Sequence, residues 1–223
     1  EHVHIITRTD APLKSFADLQ GKRVAIGAPG SGIRHTAGKL VQASGLSLQV
    51  DDSGFMVALD KLKNRQLDAV FYVGSIGASE RLRQYFESNP ILQIIPIQPS
   101  LVNYLTIRDA GSYQPAKIPA GTYDVSPAIP SRDIPTLSTA TVVITRPDVD
   151  RNKVGLLTWA ILDTSRKYAP FYPELETGDA RSSLQKGLFY IHPAAQDVYA
   201  HGDPRSAWIR YWENNNDLQA WLV

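Results

Sequence analysis

The feature that most constrains this chain is an alternation, sustained over about the first hundred residues, of short apolar runs with stretches of helical period. EHVHIITR (1–8) alternates as a strand does. VAI (24–26) is a short buried run. Residues 34–44, RHTAGKLVQAS, carry Ala37, Leu40 and Val41 on one helix face, with Gly45 as the stop. LSLQV, the helix FMVALDKLKNRQ with Phe55, Val57, Leu59 and Leu62 inward and Ser53 as its cap, and the continuous run LDAVFYVG follow. A third helix, SIGASERLRQYFES, is expected to turn Ile76, Leu82 and Tyr85/Phe86 inward, and ILQIIPI supplies a fourth strand. Strand, helix and strand at this spacing predict an α/β fold with a parallel sheet and helices on both faces.

After Pro96 the pattern loosens. Prolines and glycines crowd the segment to Pro135, yet Leu101, Tyr104, Leu105, Ile107 and Tyr123 punctuate it, so an irregular excursion is expected rather than a tail. STATVVIT (138–145) reads as a strong strand, VGLLTWAILDTSRKYA as an amphipathic helix, and the last forty residues as helical with Trp208, Tyr211, Trp212 and Trp221 packed.

Composition removes several function classes. The 23 basic and 22 acidic side chains give no basic excess for a nucleic acid. With no cysteine there is no disulfide scaffold, thiol catalysis or thiolate zinc site. No apolar run is long enough to span a bilayer. His2 and His4 share a strand face at metal-compatible spacing but lack a third ligand, so no metal is expected and no cofactor is implied. His192 reads as a packed, hydrogen-bonded histidine.

Chemistry concentrates in VAIGAPGSGIRHTA. A strand ends, Gly27, Gly30 and Gly32 fold the backbone tightly, and a helix begins whose first amides have no partner inside it. Those amides and the helix dipole form a cradle for a carboxylate, phosphate or sulfate. Ser31 adds a hydroxyl, and Arg34 and Thr36 stand in the first turn. Three other readings remain open. A phosphate-transfer loop would need Lys and Ser/Thr where Ile33 and Arg34 stand. A dinucleotide fingerprint is suggested by Asp51 and Asp52, but His35 occupies its third glycine position. A structural turn needs only the glycines. Hydrolase chemistry through Ser31 and His35 lacks an acid partner, so no catalytic residue is named. Tyr72, Gly74 and Ser75 end the DAVF strand, where open α/β sheets bind ligands, and Tyr123 could close over a guest.

DLQGKRVAIGAPGSGIRHTAGKLVQASGL resembles the second-lobe opening of the TAXI-type, TRAP-transporter-associated solute receptors. Further segments agree in order: LDKLKNRQLDAVFYVGSIGASERLR, IPAGTYDV, STATVVITRPDVD and KGLFYIHPAAQDVY. Ile33 departs from the Thr usual after the GSG triplet, and Ala194-Ala195 from the usual Gly-Ala. The resemblance implies a type II periplasmic-binding-protein fold with residues 14–136 as the second lobe. Residues 1–13 and 137–223 would form hinge strands and a partial first lobe, and the rest of that lobe would lie upstream of Glu1.

It also implies a non-enzymatic extracytoplasmic receptor for a small anionic solute, glutamate-like or another carboxylate, serving TRAP-type membrane permease subunits. Ligand contacts are expected from Gly30, Ser31, Gly32, Arg34, Thr36, Tyr72, Gly74, Ser75 and Tyr123. A sensor domain of the same fold and a small-molecule enzyme on an α/β scaffold are the alternatives. YWENNNDLQAWLV could lead into a membrane anchor.

Overall fold

The computed structural model describes residues 1–76, 80–88, 91–168 and 190–206. It divides into two compact units, Glu1–Thr141 and Val142–Val223. In the first, the strands are β1 (His2–Arg8), β2 (Arg23–Ala25), β3 (Gln49–Asp51), β4 (Ala69–Gly74), β5 (Leu92–Ile94), β6 (Gln114–Ile118), the small hairpin β7 (Asp124–Val125) and β8 (Ala128–Ile129), and β9 (Ile134–Ser138). The helices are α1 (Gly32–Ser44), α2 (Phe55–Lys63), α3 (Glu80–Glu87) and α4 (Pro99–Arg108).

The main sheet has the order β3-β2-β4-β1-β9-β6, with β5 also paired to β1. β2 is parallel to both β3 and β4, as the alternation predicted. The remaining pairs add antiparallel neighbours to this parallel part. β1 lies antiparallel against β4 from His2↔Gly74 to Thr7↔Ala69, and β5 and β9 are antiparallel to β1 in turn. The sheet is mixed because β1 is inserted in the reverse sense between β4 and β9, while β5, antiparallel to β1, runs in the same sense as β4.

Alternation along each strand builds two cores. Val3, Ile5, Val24, Ala69 and Phe71 face one side, where α1 contributes Ala37 and Leu40 and α4 contributes Leu101, Val102 and Leu105. Ile6, Ala25 and Val70 face the other, with Ala58, Leu59 and Leu62 of α2 and Leu82 and Phe86 of α3. Each Val, Leu, Ile or Phe among them, fully buried, contributes roughly 1.5–3 kcal/mol. The expected apolar face of α2 needs one change. Val57 is 56% exposed and Ala58 takes its place, because Phe55, Ala58, Leu59 and Leu62 obey the i, i+3, i+4 spacing and Val57 does not. Ser53 does not cap α2. Gly54 holds that position, and the Ser53 hydroxyl accepts from Lys61 Nζ at 2.7 Å.

The segment after Pro96 is more regular than its composition suggests, since it contains α4 and the antiparallel pair β6–β9. STATVVIT is strand only at its first residue. β9 ends at Ser138, and Val142, Val143 and Ile144 are 47%, 70% and 81% exposed. Residues 1–13, expected with the hinge, belong to the first unit, because β1 is an interior strand of its sheet.

In the second unit, α5 (Arg151–Tyr168) packs on α6 (Pro193–His201). Val154, Ala194 and Val198 are buried there. His192 caps α6, its ring nitrogen accepting from the Ala194 amide at 3.2 Å. The aromatic residues expected to pack from Trp208 onward, and the segment proposed to lead into a membrane, lie outside the described residues. Among the described residues, no helix is long and apolar enough to cross a membrane.

Candidate functional site

The chain leaves β2 for β3 on one side of it and returns through α2 to β4 on the other side. The strand order therefore reverses between β2 and β4. In an open α/β sheet, the crevice outside the carboxyl ends of the strands at such a reversal is where ligands bind. Two segments emerge at that end: Ile26–Ser31 after β2, and Ser75 onward after β4. Since β1 runs antiparallel to β4, its first residue, His2, lies at the same end, opposite Gly74.

The first segment folds as the glycines require. Gly27 has φ 91° and is buried, and a Cβ there would lie 2.8 Å from Ser31 Oγ and 2.9 Å from Ile33 Cβ. Gly30 has φ 79° in the turn before the helix. Ser31 is the N-cap of α1, and its Oγ accepts from the Arg34 amide at 3.2 Å. The Ser31 amide is not free, because it donates to Ala28 O at 3.1 Å and closes the turn. The amides of Gly30, Gly32 and Ile33 have no acceptor among the described residues. Gly30 and Gly32 are exposed, so these donors meet solvent at the positive end of a thirteen-residue helix.

Arg34 is placed at this loop but is engaged. Nη1 donates to Gly27 O at 3.3 Å and pairs with the Asp52 carboxylate. The two side chains are 34% and 57% exposed, and an ion pair that open to water contributes at most about 1 kcal/mol. A better acceptor could therefore draw Arg34 away at small cost. Asp51, the other acid of the dinucleotide reading, is pushed up by burial, but its 2.7 Å bond from Lys61 Nζ and its bonds from Ser53 outweigh that and leave its carboxyl below the ordinary value.

Across the sheet end, Tyr72 is half-buried. Its ring stacks on Phe55 at 4.3 Å and lies tilted to His4 at 5.4 Å, while its hydroxyl folds back over Gly74. Gly74 itself is buried beneath that hydroxyl. Ser75 is half-buried at the mouth of the site.

Two expected contacts lie elsewhere. Thr36 is 5% exposed, turned into the core, and its Oγ1 accepts from the Tyr113 hydroxyl at 3.5 Å. It follows Ile33 by three residues and shares the inner helix face with Leu40, which removes it from the loop's open side. Tyr123 is 2% exposed, stacked on Phe86 at 5.1 Å, with its hydroxyl 2.5 Å from His4 Nε2. It is a core residue of the sheet's second face and does not reach over the loop.

Two residues of this end were read from sequence as metal-like spacing only. His4 is fully buried, with Nδ1 2.9 Å from His2 O. A carbonyl can only accept, so Nδ1 carries the proton, and the neutral ring accepts from Tyr123 through Nε2. Burial lowers the pKa of His4 to about 3, and that of His2 to about 4. His2 Nδ1 is buried without a partner among the described residues. Among those residues, no group of three or more His, Asp or Glu is arranged to hold a metal.

With this geometry in place, comparison with known proteins gives a family. The model of the NMT1-like family matches residues 1–201. The chain belongs to the NMT1-like family.

Among solved structures, this NMT1-like chain is similar to an ancestral arginine-binding protein bound to glutamine, at 25% identity and TM-score 0.32, over 42% of this chain and 39% of that one. It is similar to a Salmonella typhimurium periplasmic binding protein of high arginine specificity, at 27% identity and TM-score 0.32, over 43% and 38%. A substrate binding protein of an amino acid ABC transporter aligns at 11% identity and TM-score 0.38, over 82% of this chain and 59% of that one. The NMT1-like chain thus spans about two fifths of the first two and 59% of the third.

Proposed function

We propose that the first unit is one lobe of an extracytoplasmic solute-binding protein. Its Gly27–Gly32 loop and the start of α1 receive the carboxylate of a small anionic solute, and a facing lobe closes over it. The observation that carries this reading is the set of amides at Gly30, Gly32 and Ile33, without protein acceptors among the described residues and with both glycines exposed, at the sheet's reversal point. Gly30, Ser31, Gly32 and Arg34 form the anion side of the site in this proposal. Tyr72, Gly74 and Ser75 form its opposite wall.

The Arg34–Asp52 pair supports a glutamate-like guest in particular. A ligand carboxylate would take Arg34, and a ligand ammonium would take the released Asp52. Such a protein binds and releases without turnover. The ordered resemblance to TAXI-type receptors supports TRAP-type permease subunits as partners.

Calorimetric titration with glutamate and with the dicarboxylate glutarate tests the reading. We expect saturable binding of at least one. Ser31→Ala and Arg34→Ala should each weaken it by about 1.5–3 kcal/mol, the worth of a charge-assisted hydrogen bond. Asp52→Asn should weaken glutamate and spare glutarate. Unchanged affinity in both the Ser31 and Arg34 variants would place the anion elsewhere.

A further inference from the structure

A second concave site lies at the pole of the first unit opposite the Gly27–Ser31 loop. β1 is antiparallel to β4, so Thr9, just past the end of β1, sits beside the start of β4 rather than its carboxyl end. Between this point, the turn after β5 and the strap that follows β8 opens a cleft of about 330 Å³. That volume lies within the range of small-molecule sites, and the accessible wall is as polar as it is apolar, which suits an amphipathic guest. Leu13, Ile95 and Ile129, all under 10% exposed, form the apolar part. At the rim stand Lys14, Ser131 and Arg132, all exposed.

The charge arrangement is what selects a ligand. The acids closest in sequence to the rim all have other partners. Asp10 pairs with Arg8 and Arg65. Asp18 accepts from the amides of Lys14 and Ser15 at 2.8 and 2.9 Å. Asp133 bonds Lys117 Nζ at 2.6 Å and the Ala120 amide at 3.0 Å. Neither the Lys14 ammonium nor the Arg132 guanidinium has an ion-pair partner among the described residues. Two cations without an ion-pair partner among the described residues thus border the cleft, and a neutral or cationic guest would leave them unused.

We infer that this cleft is a second ligand site, for a small carboxylate carrying an apolar body. The hydrocarbon part fills the pit over Leu13, Ile95 and Ile129. The carboxylate lies at the rim between Lys14 and Arg132, within reach of the Ser131 hydroxyl. The site is separate from the Gly27–Gly32 loop, since the start of β4 and its carboxyl end lie at opposite ends of the sheet.

Titration of ¹⁵N-labelled full chain with 4-methylpentanoate and benzoate, with benzamide as the neutral control, decides the matter. The expected result is saturable movement of the Ile95, Ser131 and Arg132 amides by both acids, at least about tenfold weaker for benzamide. Lys14→Ala/Arg132→Ala should weaken both acids by about tenfold or more, with the urea midpoint unchanged. Should the double variant fail to fold, Lys14→Gln and Arg132→Gln singly should each weaken binding by about threefold or more. Absence of saturable movement at millimolar acid, equal binding of benzamide, indifference to these substitutions, or movement confined to residues 27–33 would each overturn the proposal.

Discussion

Acidification from pH 6.5 to 4.5 is expected to remove roughly 2 kcal/mol of folding stability through His4 alone. Burial lowers the pKa of this ring to about 3 in the folded protein, whereas the unfolded chain takes up the proton near 6.5. The unfolded state therefore binds more protons throughout that interval. The stabilisation is complete above pH 6.5 and is lost as the pH falls toward about 3. His2, lowered to about 4 chiefly by burial, acts in the same direction, with a smaller effect because it is only half-buried. Carboxylates held low by partners, such as Asp68 beside Arg23, contribute only at more acid pH, below their ordinary range. The interval 4.5–6.5 thus isolates the histidines. Urea unfolding at half-unit steps should show the loss. His4→Gln keeps an amide donor and acceptor for His2 O and Tyr123 but cannot titrate, and should flatten the slope by about 1.4 kcal/mol per pH unit. Equal slopes for both proteins would contradict the placement of His4.

The second large effect is expected at Gly27. Gly27→Ala forces a Cβ onto a residue at φ 91°, 2.8 Å from Ser31 Oγ and 2.9 Å from Ile33 Cβ. Left-handed backbone costs a non-glycine residue about 1–2 kcal/mol. Displacing Ser31 adds the loss of the helix cap, about 1 kcal/mol. The total is about 3 kcal/mol by urea denaturation, together with loss of any anion binding at the loop. Gly21→Ala is the matched control. Its φ is 72° and a Cβ there meets nothing within 4 Å, so only the backbone penalty of about 1 kcal/mol remains. Equal losses at the two positions would mean that the loop is not packed against the start of α1 as described.

The parts of the fold that the sequence made legible are those fixed by local chemistry. The β2–loop–α1 unit follows from glycines, a capping serine and a helix-period apolar face, and the structure has it at Arg23–Ser44. Strand direction was less legible. The pattern of β1 specifies which side chains face which core, but nothing in a period of two says whether the neighbouring strand runs with it or against it. The antiparallel insertion of β1 between β4 and β9 depends on pairing across 60 to 130 residues, which no window of sequence contains. The same limit explains the site. Arg34 was readable as a cation near the loop. Its pairing with Asp52 arises only because β3 lies parallel to β2 and brings Ala25 opposite Asp51. Thr36 was chosen for its hydroxyl, although its i, i+4 relation to Leu40 already put it on the buried face. The Gly-Thr-Tyr turn shows a ring that could close over a guest, but not the stacking partner that buries Tyr123, Phe86, which belongs to another element.

The central claim is that the open amides at the start of α1 receive a ligand carboxylate. Amide proton shifts of Gly30, Gly32 and Ile33, followed while glutamate is added to ¹⁵N-labelled protein, test it most directly. Saturable downfield displacement of all three, absent with the diamide analogue of glutamate, is the result the account predicts. If those resonances stay in place while glutamate binds, the anion is held by other groups and the claim is wrong.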